Sequence, residues 1–107
     1  MRSLAVAALL VLSVSFPALA DPGPVTITIR DRQFVPPEVS VPANAKVELT
    51  VRNEQATPAE FESNSLHREK VVPPGGAISV FIGPLSPGRY EFFDDFNPAT
   101  RGFVVAQ

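Results

Sequence analysis

Hydrophobic positions recur in short alternating runs separated by proline. Val25 to Ile29 reads VTITI, and in Lys46 to Val51 the residues Val47, Leu49 and Val51 alternate with Lys46, Glu48 and Thr50. Alternation with a period of two gives a strand one apolar face, so both segments read as half-buried β-strands. Ala77 to Ile82, Tyr90 to Phe93 and Gly102 to Val105 share this texture. Pro36-Pro37, Pro42, Pro58, Pro73-Pro74-Gly75-Gly76, Pro84, Pro87-Gly88 and Asn97-Pro98 punctuate the chain. Proline lacks the amide donor and fixes its φ angle, so no helix of ordinary length fits between them. The pattern predicts an all-β fold, with two antiparallel sheets of about seven short strands packed as a sandwich. Phe34, Phe61, Phe81, Tyr90, Phe92 and Phe103 lie in or beside these strands and are expected to fill the core.

The first twenty residues have a different character. Arg2 gives a positive start, Leu4 to Phe16 carry no charge, and Ala18-Leu19-Ala20 places small residues where a signal peptidase cuts. This is the layout of an export signal cleaved after Ala20, and the apolar run is too short for a membrane anchor. The expected product, residues 21–107, is one exported domain with no membrane insertion of its own, beginning in a loose segment from Asp21 to Pro24. With 107 − 20 = 87 residues and no cysteine, it must be held by packing or by a bound ligand, because disulfides are excluded. Losing Arg2 leaves 8 basic and 11 acidic side chains, with neither sign gathered into a long run. Nucleic acid is therefore not an expected partner.

Most enzyme classes fail for want of residues. There is no thiol and no glycine-rich phosphate loop, and the single histidine, His67, sits in a loop-like stretch without a nucleophile motif. As a loop imidazole it is either solvated or a peripheral metal contact. The acids are more informative. Glu60 and Glu62 flank Phe61, so in a strand both carboxylates share one face while the ring faces the core. Glu69 follows shortly after. Asp94 and Asp95 come directly after the strand ending at Phe93, where the chain turns through Asn97-Pro98.

Three stretches carry a family resemblance. They are Thr57-Pro58-Ala59-Glu60-Phe61-Glu62-Ser63, Leu66-His67-Arg68-Glu69-Lys70-Val71-Val72-Pro73-Pro74-Gly75, and Pro87-Gly-Arg-Tyr-Glu-Phe-Phe-Asp-Asp-Phe-Asn-Pro98, the last followed by Arg101-Gly-Phe-Val-Val105. Together they resemble a cupredoxin, most closely the cupredoxin-like domains of bacterial periplasmic iron-uptake systems of the EfeO and FtrB type, from Val25 to Val105. The resemblance implies a Greek-key β-sandwich of about seven to eight strands. It also implies a metal site in which Glu60 meets Asp94 and Asp95, with Glu62, Glu69 and His67 as peripheral ligands. In copper-binding relatives a thiolate stands at Asp94, an imidazole at Asn97, and another near Glu60. Here those positions offer oxygen donors, and no methionine follows Met1. A blue-copper site needs sulfur and imidazole, whereas carboxylates favour harder ions.

The resemblance thus implies a periplasmic protein that binds iron, with copper as the second metal, and serves an inner-membrane iron permease alongside other periplasmic uptake components. A ferroxidase-type role is the enzymatic form of this reading. The reading from a different class is a metal-free sandwich that docks another exported protein through its loops.

Overall fold

The computed structural model describes residues 23–107 together with the isolated positions 8 and 11. The expected export signal and its cleavage point lie outside the described residues. Nine strands follow in order: β1 (Val25–Arg30), β2 (Gln33–Val35), β3 (Glu38–Val41), β4 (Val47–Asn53), β5 (Ala59–Ser63), β6 (Arg68–Val72), β7 (Ala77–Ile82), β8 (Gly88–Asp94) and β9 (Asn97–Ala106). No helix occurs among the described residues.

The strands form two sheets, ordered β2-β1-β4-β7 and β3-β9-β8-β5-β6. The sandwich is as expected, but the sheets are mixed rather than wholly antiparallel. β1 runs parallel to β4 and β3 parallel to β9. After the β1–β2 hairpin the chain crosses to the other sheet as β3 and returns as β4 beside β1, which a meander of hairpins would not do.

The core is formed by the inward faces of both sheets, with Ile27, Ile29, Leu49, Val51, Phe61 and Phe92 fully buried. Phe92 meets Phe34 edge-on, with ring centroids 4.8 Å apart, and lies against Phe61 at 5.2 Å. Such aromatic contacts add to the gain from burial alone. Phe81 departs from expectation. The register of β7 on β4 turns Val80 and Ile82 inward, leaving Phe81 49% exposed with Lys46 Nζ 4.7 Å above its ring. Phe103 also faces outward, half-buried beneath the Arg89 guanidinium. Tyr90 is half-buried at the edge of the core.

Gly102 is what lets Phe92 pack so closely. A Cβ there would lie 2.5 Å from Phe92 Cζ, in the buried core, and 2.7 Å from the Pro37 carbonyl oxygen. Gly102→Ala is therefore expected to destabilise the domain by about 1–3 kcal/mol through overpacking. Urea unfolding checks this, and a midpoint unchanged from wild type would show that the ring has room to move.

Candidate metal centre

β5 is the spine of the site. It pairs with β6 on one side, matching Glu62 with Glu69, and with β8 on the other, matching Phe61 with Asp94 and Glu62 with Phe93. Ala59, Phe61 and Ser63 point into the core, so Glu60 and Glu62 project together from the outer face. Glu69 stands across from Glu62, and Asp95 lies beside Glu60, where the Asp95 amide donates to the Glu60 carbonyl at 2.9 Å. One carboxylate oxygen each from Glu60, Glu62 and Asp95 lies within 4.8 Å of the others.

Juxtaposed carboxylates repel, and their titration responds. Glu60 is only 9% exposed, and its Oε1 is buried without a hydrogen-bond donor. Its carboxyl is pushed up from 4.5 to about 7, first by hydrogen-bonding contact with Glu69, then by loss of water and by the charges of Glu69, Asp95 and Glu62. Glu62 is raised as well, first by loss of water and then by the charges of Asp95 and Glu69 and contact with Asp95. Among the described residues, no side-chain cation forms an ion pair with the group. The ion pairs among the described residues are Arg30–Glu54, Arg89–Glu38 and Arg101–Glu91, none of which includes these four acids. The nearby cations are engaged with backbone: Arg68 Nε donates to the Phe81 carbonyl and Arg68 Nη1 to the His67 carbonyl, while Lys70 Nζ donates to the Ser79 carbonyl.

A pKa raised by folding has a definite sign in stability. The Glu60 proton favours the folded state fully below pH 4.5, and that contribution is lost as pH rises through 7. The metal-free protein should therefore melt at progressively lower temperature between about pH 5 and 8, with a flatter profile in Glu60→Gln. Melting curves across that range check it, and equal slopes in both proteins would contradict it.

Asp94 is placed differently from its neighbour. It is 1% exposed, and its Oδ1 accepts from the Glu60 amide at 2.9 Å and from the Phe96 amide at 3.0 Å. It ties the β8–β9 turn to β5 and so sets where Glu60 and Asp95 stand, but it lies outside the group formed by Glu60, Glu62 and Asp95. Asn97 opens β9 opposite Asp94. His67 is exposed at the tip of the β5–β6 hairpin, in a left-handed conformation with φ of 54°.

Two supporting residues escaped the sequence reading. Buried Asn53 donates to the carbonyls of Thr57 and Val72 and accepts from the Gln55 amide, which shapes the loop entering β5. Ser63 Oγ donates to the Glu91 carbonyl at 2.6 Å and accepts from the Leu66 amide at 3.1 Å, which fastens the hairpin leaving β5. A polar residue in an apolar register is the signal that would have found both.

Similarity to known proteins supports the same architecture. A sequence family described as "Cupredoxin-like domain" matches residues 2–106. An uncharacterized protein of Rickettsia prowazekii, RP394, is 48% identical over 82 residues, which is 76% of this chain. The chain spans 66% of that relative's length. Among solved structures, a reduced amicyanin variant superposes with a TM-score of 0.65 at 23% identity, covering 84% of this chain and 87% of that one. A purple cupredoxin from Nitrosopumilus maritimus gives 0.63 at 16% identity, covering 78% and 99%. At such identities the structural matches speak for the fold, and the family match extends over nearly the whole sequence: the chain belongs to the cupredoxin-like domain family.

Proposed function

We propose that this protein is an exported periplasmic carrier whose cargo is iron, held by the carboxylates of Glu60, Glu62 and Asp95 with Glu69 beside them, and passed to an inner-membrane permease. One observation carries the reading: the buried Glu60 Oε1 lacks any donor while facing acids that no arginine or lysine neutralises. Buried polar atoms are normally satisfied and clustered like charges normally relieved, so a cation is the missing partner. Oxygen donors alone suit a hard ion, and in the ferric state iron is the harder.

Copper fits this donor set poorly. A blue centre needs a thiolate and imidazoles, yet the chain has no cysteine and Asp94, which succeeds the aromatic strand, is turned inward onto two amides. Binding, rather than electron transfer through copper, is the role these residues support. In the native host, deleting the gene should lower uptake of radioactive iron under iron limitation. The wild-type gene should restore it and the Glu60→Gln form should not. Full restoration by Glu60→Gln would exclude this group as the cargo site.

A further inference from the structure

An arginine stands near the acids and yet is paired elsewhere. Strand pairing lays Glu69, Glu62, Phe93 and Arg101 in one row across β6, β5, β8 and β9. Phe93 and Arg101 share the outward parity of Glu62, so the three project from one face of the sheet. Adjacent strands lie about 4.8 Å apart, which puts the Arg101 backbone roughly 10 Å from that of Glu62, within the combined reach of the two side chains. The Arg101 guanidinium already lies over the Phe93 ring, 4.9 Å from its centroid, and so covers the residue between them. Glu91 holds it there, its Oε1 accepting from Arg101 Nη1.

Charge alone would send this guanidinium the other way. Several neighbouring carboxylates attract a cation more strongly than one does, and the group around Glu60 has no cation of its own. Glu91 prevails through its placement. It precedes Phe93 by two residues on the same face of β8, and its backbone is tied to β5 because its carbonyl accepts from Ser63 Oγ at 2.6 Å. The other arginine on this face, Arg89, is paired with Glu38 and lies over Phe103. We propose that Glu91 is a positioning residue for the metal site: by retaining Arg101 it keeps a built-in cation from crossing Phe93 onto Glu62 and taking the place of the metal ion. Once released, the guanidinium would cross a ring face that attracts it and reach a carboxylate that its forked donors fit. This inference rests on Glu60, Glu62 and Asp95 as the place where cargo is held.

Calorimetric titration of the purified protein with Mn(II) at neutral pH tests this as a double-mutant cycle. The side chains of Arg101 and Glu91 are 46% and 43% exposed, so neutral replacements leave the fold in place. Glu91→Gln should weaken Mn(II) binding about 5-fold or more, within the range of coupling between neighbouring side chains. In the Arg101→Gln background the same substitution should change the affinity little, because the competing cation is gone. An equal loss in both backgrounds, as a general effect of charge would give, or no loss in either, would overturn the proposal. Nuclear Overhauser contacts supply a reading that needs no metal. In metal-free Glu91→Gln, contacts between the Arg101 δ protons and the Glu62 γ protons should be stronger than in wild type, and unchanged contacts would also overturn it. Mn(II) binding that is absent in wild type, or unaltered in Glu60→Gln, would instead overturn the carrier site, and the Overhauser contacts would still decide whether Glu91 restrains Arg101.

Discussion

Glu60→Gln should weaken binding of iron at least ~10-fold, the scale on which a metal site responds to loss of a supporting group, while leaving the empty protein at least as stable as wild type above neutral pH. The two halves of this expectation have one cause. Glu60 is nearly buried among Glu62, Glu69 and Asp95, and its ionisation is opposed by all three. A neutral amide of the same shape removes that repulsion from the empty site, and with it the charge that a cation requires. A purely structural Glu60 would behave otherwise, since its removal would lower the melting temperature whether metal was added or not. Calorimetric titration with Fe(II) under anaerobic conditions, paired with melting curves of the empty variant, distinguishes the two. Unchanged affinity would remove Glu60 from the site.

Asp94→Ala should produce the opposite pattern, with large destabilisation of the empty protein. Its Oδ1 satisfies two amides in a nearly water-free position, those of Glu60 and Phe96. Leaving buried donors unpaired costs about 1–3 kcal/mol for each group, so a total of about 3 kcal/mol is expected. Asp94→Asn keeps an acceptor oxygen and should lose much less. Because the Glu60 amide is one of the two donors, the alanine variant should also weaken metal binding by misplacing β5 relative to Asp95. Chemical denaturation of both variants measures the difference. Equal stability of Asp94→Ala and wild type would mean that the turn holds without its carboxylate.

This contrast shows what could and could not be read along the chain. Glu60 and Glu62 were placed on one outward face by alternation alone, because Phe61 between them had to face the core. The resemblance groups Asp94 with Asp95, and strand parity separates them: Phe92 and Asp94 face in, while Phe93 faces out with Asp95 after it. A pattern that treats adjacent acids as equivalent cannot see this. The β-branched runs of β1 and β4 declared themselves, whereas β2 and β3, with three and four residues, are divided by Pro36-Pro37 and too short to show a period. In β6 four of five residues are exposed, so no apolar face marks it. Phe81 looked like core because of its size, and only the register of β7 on β4 turned it outward. Glu62 and Glu69 meet within one hairpin, but which acids of β5 meet the β8–β9 turn depends on a pairing between distant segments, which local sequence does not encode.

The empty acids repel one another, and a cation would join them. The most direct test is the melting temperature of the purified protein at about pH 7.5, with and without a divalent ion that carboxylates bind, Fe(II) held anaerobically or Mn(II) as its air-stable substitute. An ion that binds only the folded state stabilises it by mass action, by about 2.7 kcal/mol at a hundredfold excess over its dissociation constant. A clear upward shift is expected in wild type, and little or none in a variant combining Glu60→Gln, Glu62→Gln and Asp95→Asn. No shift in wild type at millimolar metal, or an equal shift in the triple variant, would contradict it.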